Sequence, residues 1–172
     1  QHISAYSLMY EEGTPLFRLL NEKKIKEINE ETSLKMYEML IESLTNNGFE
    51  HYEISNFALP GYRSKHNSSY WKQIPYLGIG ASAHSYDIAS RQWNIADVKD
   101  YIRFVNSSSH EYIEETEHLT DTERYNDIIT TTLRTSDGID TRTLPQRHRD
   151  FILKASQKHI ALGNLSLDNG II

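Results

Sequence analysis

Hydrophobic residues recur at helical spacing along much of the chain. Residues 31–47 carry apolar side chains three or four positions apart, which predicts an amphipathic helix that Gly48 ends in a left-handed conformation. The members of that apolar face are Leu34, Tyr37, Leu40, Ile41 and Leu44. A shorter helix is expected from Pro15 to about Asn21, because a threonine followed by proline is typical of a helix N-terminus.

Strand-like runs flank the longer of these helices. Residues 2–8 and 49–54 are rich in β-branched and aromatic side chains, and residues 76–80 form a third run after a short helix expected over 64–72. A strand, a helix and another strand predict a parallel pair with a right-handed crossover. Ligands of parallel α/β sheets lie at the carboxyl ends of the strands, where polar and small residues gather in this sequence.

Beyond residue 86 the pattern becomes mainly helical. An edge strand is expected over 91–94 and a helix over 96–105, and the serines at 107–109 are interpreted as a boundary. Thr120 and Glu123 have the spacing of a capping box, which predicts the start of another helix. Its apolar face would comprise Tyr125, Ile128, Ile129, Thr132 and Leu133.

A third and longer helix is expected over 149–162 in this C-terminal part. Its predicted inward residues are Phe151, Ile152, Ala155, His159 and Leu162. With the Asn-Gly turn at 169–170, the order of elements is that of a winged-helix-like module. The long helix is not strongly basic and the second strand of the hairpin is missing, so packing is favoured over DNA contact.

Composition narrows the function classes. The chain has 172 residues, is 38% hydrophobic and has no run long enough to cross a membrane, which is typical of a globular protein. The net charge of −6 offers no basic field for nucleic acid. Zero cysteines exclude disulfides and thiolate-held metal centres within these residues. Without a signal peptide, a cytoplasmic location is expected.

Both ends of the sequence predict that it is a piece of a longer protein. Gln1 stands directly inside a strand-like run, and only two residues follow the turn at Asn169 and Gly170. The open strand edge is expected to pair with another chain, and a second copy, giving a homodimer, is one candidate.

The densest chemistry lies between residues 64 and 86. A helix over 64–72 places His66 and Tyr70 on one face and Asn67 and Trp71 on the adjoining one. This surface would suit a flat, partly apolar ligand with polar edges. A buried Tyr-Trp pair with a capping histidine accounts for the same spacing equally well.

Other candidate sites are less specific. The Gly78-x-Gly80 run lacks the third glycine and the lysine of phosphate loops, so close backbone packing is favoured. Glu53 and Asn56 could hydrogen-bond a ligand, or Glu53 could only pair with Arg63 or Lys65. The eight histidines show no zinc-enzyme spacing, and of these His66 and His84 stand beside small residues at a predicted strand or loop mouth.

Several blocks together resemble the downstream half of oxygen-independent coproporphyrinogen III oxidase-like radical SAM proteins. They are HISAYSL at 2–8, YEISNFALPG at 52–61, HNSSYW at 66–71 and YLGIGASAHSY at 76–86. The LRT at 133–135 and GID at 138–140 are similar to the C-terminal domain of the same family. The HNSSYW block looks closest to the haem-chaperone branch.

The resemblance implies an α/β fold: the C-terminal portion of a partial (βα)6 radical SAM barrel over residues 1–106, followed by a small, mainly helical, winged-helix-like domain over 107–172. It implies S-adenosylmethionine and a 4Fe-4S cluster in the full-length protein, whereas the family's cluster cysteines are absent from this chain. The S-adenosylmethionine pocket would include Ser7, Leu8, Gly80, Ala81, Ser82, Ala83 and His84. The tetrapyrrole would face His66, Asn67, Tyr70 and Trp71.

The same resemblance gives the functional hypotheses. The leading one is a fragment of a coproporphyrinogen III oxidase, in which a 5′-deoxyadenosyl radical starts oxidative decarboxylation of propionates; the fragment alone would be inactive. The alternative is a haem chaperone that binds haem and transfers it without oxidase activity. A plain interaction module is a third hypothesis. The expected partner in the first two is a tetrapyrrole, coproporphyrinogen III or haem, and no nucleic acid.

Overall fold

The structure, a computed structural model, describes residues 1–107 and 112–172 and divides into two compact units. These units are Gln1–Ser64 and Lys65–Ile172. Two of the three serines interpreted as a boundary, Ser108 and Ser109, lie outside the described residues, and the division at residues 106 and 107 stays a prediction. Each unit combines helices with a small antiparallel sheet.

The first unit contains the helices expected from the sequence. Its elements are β1 (His2–Ser4), α1 (Pro15–Asn21), α2 (Glu30–Asn46), β2 (Glu50–Glu53) and β3 (Asn56–Ala58). The Thr14 hydroxyl accepts a hydrogen bond from the Phe17 backbone N–H at 3.2 Å, which caps α1 as predicted. Gly48 follows α2 with φ of +82°, the left-handed conformation expected there.

The sheet of the first unit differs from the predicted βαβ pair. Its strand order is β1–β3–β2, and β3 pairs antiparallel with both neighbours. β1 and β2 therefore run parallel to each other but are not hydrogen-bonded neighbours. The chain turns back immediately after Glu53 and inserts β3 between them. The prediction of a parallel pair was wrong, and so was the extent of β1, which ends at Ser4.

The core of the first unit lies on this sheet. Tyr52, Phe57 and Ala58 are almost fully buried. The His51 ring stacks on Phe57 with centroids 4.4 Å apart, and the Tyr37 hydroxyl of α2 donates to the Ile54 carbonyl at 2.7 Å. Aromatic packing and one hydroxyl hydrogen bond thus attach α2 to the sheet.

The second unit holds the remaining elements. They are α3 (Lys65–Trp71), β4 (His84–Tyr86), β5 (Ser90–Asn94), α4 (Val98–Asn106), β6 (Ile113–His118), α5 (Asp121–Thr132), a 3-10 turn (Thr141–Thr143) and α6 (Gln146–Ala161). The capping box of α5 is present: the Thr120 hydroxyl accepts from the Glu123 N–H, and the Glu123 carboxylate accepts from the Thr120 N–H.

Two predictions about strands in this unit were wrong, one about the presence of a strand and the other about the position of a strand in its sheet. Residues 76–80 form an irregular loop in which Tyr76 alone bridges to Tyr86, because residues 78–80 are held by side chains rather than by a strand ladder. Residues 90–94 form the central strand of the order β4–β5–β6, not an edge. The sequence of β6, IEETEH, contains one apolar residue, so no alternation of apolar and polar residues predicts a strand there.

The C-terminal core packs α5 against α6. Its buried members are Tyr125, Ile139, Leu144, Ile152 and Ile172. The backbones of Ile139 and Ile172 exchange hydrogen bonds of 2.8 and 3.0 Å, and Asn169 and Gly170 take positive φ, as the Asn-Gly turn predicted. Of the predicted inward residues of α6, Ile152 is buried, whereas Phe151 and Leu162 are 62% and 63% exposed and Ala155 and His159 are exposed as well. Those four assignments were wrong, because Ile152 and Ser156 occupy the inward positions of the helix.

Within residues 1–107 and 112–172, no helix combines the length and apolar composition needed to cross a bilayer. The same residues contain no group of three or more His, Cys, Asp or Glu side chains placed to hold a metal ion.

Candidate functional site

The block HNSSYW forms α3, and its histidine and tyrosine lie side by side as the helical spacing predicted. His66 Nε2 lies 3.2 Å from the Tyr70 hydroxyl, and the two rings meet edge to face with centroids 5.0 Å apart. His66 is exposed and Tyr70 is 40% exposed, whereas Asn67 and Trp71 are half-buried. Tyr70 is therefore not half of a buried Tyr-Trp pair, and the exposed face of α3 offers an imidazole and a phenol together.

An aromatic row extends this face toward β4. The Tyr70 ring contacts Tyr76 edge to face at 4.8 Å between centroids, and Tyr76 lies 6.0 Å from Tyr86. Burial raises the pKa of both Tyr76 and Tyr86 above the usual tyrosine range, so both stay protonated hydroxyl donors at neutral pH. The Tyr86 hydroxyl donates to Gln73 Oε1 at 3.4 Å.

The glycine loop before β4 is held by polar side chains from other elements. The Asn94 amide donates to the carbonyls of Gly78 and Gly80 at 3.2 and 2.8 Å, and Tyr101 of α4 accepts from the Gly80 N–H at 3.0 Å. A Cβ on Gly78 would overlap the backbone carbonyl of His84, whereas Gly80 faces open space with φ of +116°. Gly78 is thus required for packing, whereas Gly80 has free space where a side chain would stand, and its N–H and carbonyl are both hydrogen-bonded.

The residues after Gly80 expose polar groups. Ser82 is exposed with φ of +59°, and His84 is exposed and stacks on Trp93 of β5 with centroids 5.7 Å apart. Ala81 and Ala83 are half-buried, and the Ala83 carbonyl accepts from the Asn94 N–H at 3.0 Å. The loop therefore presents a hydroxyl and an imidazole from a fixed backbone.

Ser7 and Leu8 belong to the first unit and lie beyond the end of β1 rather than at its tip. Both are exposed, Leu8 to 66%, and they line an open groove of about 520 Å³. Its other walls come from α2 and the segment before it, including Met36, Tyr37 and Leu40. Each of the two predicted cofactor segments is thus accessible within its own unit.

Glu53 and Asn56 form a structural network. Both side chains are 2% exposed, and the Asn56 amide donates to the Glu53 carboxylate. The Ser55 N–H donates to the same carboxylate oxygen at 3.0 Å, and Ser4 donates to Asn56 Oδ1 at 2.6 Å. Arg63, one of the predicted partners of Glu53, pairs with Glu50 at 2.8 Å. These buried bonds hold the β2–β3 turn and leave little surface for a ligand.

Three residues close to the predicted sites were not singled out from the sequence. Tyr76 was expected in a strand over 76–80, Asn94 in an edge strand over 91–94 and Tyr101 within a helix over 96–105, and none of the three was predicted to belong to a site. Asn94 could have been identified as a side-chain amide at the end of a strand. Such an amide can donate to the carbonyls of a nearby loop of small residues.

The chain is similar to haem chaperones and to a radical SAM enzyme. It is 32% identical over 148 residues to haem chaperone HemW of Bacillus subtilis, a match covering 86% of the chain and 39% of that relative. HemW of Lactococcus lactis is 38% identical over 102 residues, which are 59% of the chain and 27% of the relative. The mitochondrial radical S-adenosyl methionine domain-containing protein 1 of Danio rerio is 40% identical over 83 residues, covering 48% of the chain and 19% of that protein.

The fold agrees with these sequence matches. The coproporphyrinogen III oxidase HemN of Escherichia coli, a radical SAM enzyme, superposes with a TM-score of 0.59 at 18% identity, over 87% of this chain and 39% of that chain. No protein-family model matches the sequence. The chain therefore spans about two fifths of the length of the Bacillus relative.

Proposed function

We propose that this chain, which matches the C-terminal part of an oxygen-independent coproporphyrinogen III oxidase-like radical SAM protein of the haem-chaperone branch, binds haem for transfer to another protein. The relatives' names support the chaperone alternative better than the leading oxidase hypothesis, because two HemW haem chaperones are 32% and 38% identical to the chain. The oxidase HemN is only 18% identical to the chain over the superposed part and supports the fold alone.

The observation that carries the proposal is the exposed pair of His66 and Tyr70. A neutral imidazole is a common iron ligand of haem. Because Nε2 of His66 lies 3.2 Å from the Tyr70 hydroxyl, the tyrosine helps to orient the imidazole ring that would bind iron. Tyr70, with Tyr76 behind it, adds aromatic surface on which a porphyrin can pack. Asn67 and Trp71, half-buried on the adjoining face, complete the proposed tetrapyrrole site.

The residues of this chain differ in how they fit the family's cofactors. A 4Fe-4S cluster needs thiolates, and this sequence has no cysteine, so its residues do not fit the cluster. The exposed Ser82 hydroxyl and His84 imidazole fit hydrogen bonding to S-adenosylmethionine, and the missing side chain at Gly80 leaves space beside them. Ala81 and Ala83 would add backbone contacts, and the assignment of Ser7 and Leu8 to an S-adenosylmethionine pocket stays a prediction from the resemblance.

The finer architecture belongs to the same proposal. Residues 1–106 would be the C-terminal portion of a partial (βα)6 barrel, and residues 107–172 a winged-helix-like domain. The homodimer and the cytoplasmic location stay predictions.

Haemin titration of the protein tests the proposal. We expect a Soret band typical of histidine-ligated haem that is weakened in His66→Ala, because the haem bound at α3 is lost, and retained in full, with altered ligand field, in Tyr70→Phe. The matched control is His118→Ala, since His118 is another exposed histidine of the second unit. Circular dichroism should be unchanged in all three variants, because none of these side chains is buried.

Two outcomes would contradict the proposal. Unchanged haem binding after simultaneous replacement of His66 and Trp71 by Ala would favour the plain interaction module. Formation of protoporphyrinogen from coproporphyrinogen III, by the longer protein with a reconstituted cluster, would restore the oxidase hypothesis.

A further inference from the structure

The second unit contains a groove that lies between α5 and α6, apart from the α3 face. It has a volume of about 510 Å³, within the range of about 300–1,000 Å³ that small-molecule sites occupy. Its lining is mainly apolar. Ile129 lies on α5 and Leu133 directly after it, and Phe151 and Ala155 lie on α6. Leu133 and Phe151 are 40% and 62% exposed, so a large apolar surface faces solvent here.

One imidazole stands in this apolar lining. His159 follows Phe151 and Ala155 at intervals of four residues, which places the three on successive turns along one side of α6. Its side chain is exposed and, within residues 1–107 and 112–172, makes no hydrogen bond or ion pair. The sequence predicted an inward His159, whereas the structure leaves its nitrogens available to a ligand.

The rim of the groove on α6 is basic. Lys154 and Lys158 lie beside the Phe151 edge of the helix, are exposed, and form no ion pair with any described residue. These two positive charges lie close together in a chain whose net charge is −6. An apolar floor, a free metal-ligating nitrogen and two free ammonium groups match a flat apolar ring that carries iron and carboxylates.

We propose that the groove between α5 and α6 is a second metalloporphyrin site, with His159 as iron ligand and Lys154 and Lys158 paired with the propionates. The ligand class rests on the proposed function, while the site is separate from the α3 face. A carrier with two sites on one unit could receive haem at one and release it from the other.

The test isolates the groove in a His66→Ala background. Haemin titration should leave a histidine-ligated Soret band in this variant, and the band should disappear in the His66→Ala, His159→Ala double variant. His118→Ala in the same background is the matched control and should leave the band. In wild-type protein, His159→Ala should remove part of the bound haem and leave the His66-dependent part.

The rim is tested with charge reversal and a neutral ligand. Replacing Lys154 and Lys158 by Glu should raise the haemin Kd of the groove about three- to tenfold or more, as expected for two rim charges, and leave the Kd of haemin dimethyl ester nearly unchanged. An equal loss for both ligands would contradict the propionate contacts.

The outcomes separate this inference from the proposed function. If His66→Ala abolishes all binding, the groove inference is wrong and the α3 site stands. If His159→Ala abolishes all binding and His66→Ala none, the groove stands and the α3 site fails. If Phe151→Glu disrupts a dimer while haem binding is unaffected, the groove is a self-association surface and the inference is overturned.

Discussion

At the scale of single residues, the glycines of the loop before β4 have different physical roles. Gly78 lies against the backbone of His84, so that any side chain would collide with it. Gly80 has free space around its Cα, and its φ of +116° is what disfavours other residues. The first glycine is required for packing and the second for its backbone conformation.

Gly78→Ala is expected to destabilise the protein by about 1–3 kcal/mol, the usual range for forced overpacking. The neighbouring backbone cannot move without breaking the hydrogen bonds from Asn94. Urea unfolding gives the free energy. Ile79→Ala is the control, since this adjacent side chain is 82% exposed and should change stability by less than about 0.5 kcal/mol. Equal effects of both substitutions would contradict the packing role.

Asp140 has the most clearly perturbed acid group in the second unit. Hydrogen bonds from the Arg142 guanidinium at 2.8 Å lower its carboxyl pKa from 3.8 to about 2, with a further bond from the Arg142 N–H. Because the folded pKa lies below the unfolded one, the stabilisation is complete above about pH 4 and is lost as the pH falls through about 2.

Arg142→Ala should therefore raise the pKa of Asp140 part of the way back toward 3.8, since the backbone N–H bond remains. Carbon-13 NMR titration of the Asp140 carboxyl measures the shift. Arg147→Ala, which removes an exposed arginine of α6, should leave the pKa unchanged. A pKa of Asp140 that does not respond to Arg142→Ala would show that another group causes the shift.

At the scale of elements, helix ends were the most predictable feature. Thr14 before α1, the capping box of α5 and Gly48 after α2 are local signals: each depends on side chains and backbone a few residues apart. Strand pairing depends on distant residues, and so the insertion of β3 beside β1 and the pairing of β6 with β5 were not predicted. Both strands are short or polar, and pattern analysis assigns such segments to loops.

The cap of α5 allows a quantitative prediction. Thr120→Ala should reduce the free energy of unfolding by about 0.5–2 kcal/mol, because the Glu123 N–H at the helix N-terminus loses its acceptor. The hydroxyl of Thr120 also lowers the pKa of Glu123, so that pKa should rise in the variant. Thr122→Ala is the matched control, since Thr122 lies two residues after Thr120 and is exposed. A larger loss in the control would contradict the cap assignment.

At the scale of the whole molecule, the family resemblance was readable from the order of its sequence blocks, and the comparisons confirmed it. The adjacency of His66 and Tyr70 was also predictable, since helical spacing alone brings them together. The support of the glycine loop by Asn94 and Tyr101 was not, because those side chains reach it through tertiary packing. The groove at His159 was hidden for a similar reason: helical periodicity marks an apolar face without saying what covers it.

Charge distribution at this scale predicts that the chain does not bind duplex DNA, despite the winged-helix-like order of elements that the sequence predicts. A net charge of −6 opposes a phosphate backbone, and the two free lysines of α6 are far fewer than the roughly 6–10 phosphate contacts of a typical DNA-binding protein. Fluorescence anisotropy with a labelled duplex at about 0.15 M salt should therefore show no binding at micromolar protein. Binding that weakens steeply with salt and disappears when Lys154 and Lys158 are replaced by Glu would instead assign α6 to nucleic acid, and would remove the charge argument for a porphyrin at its rim.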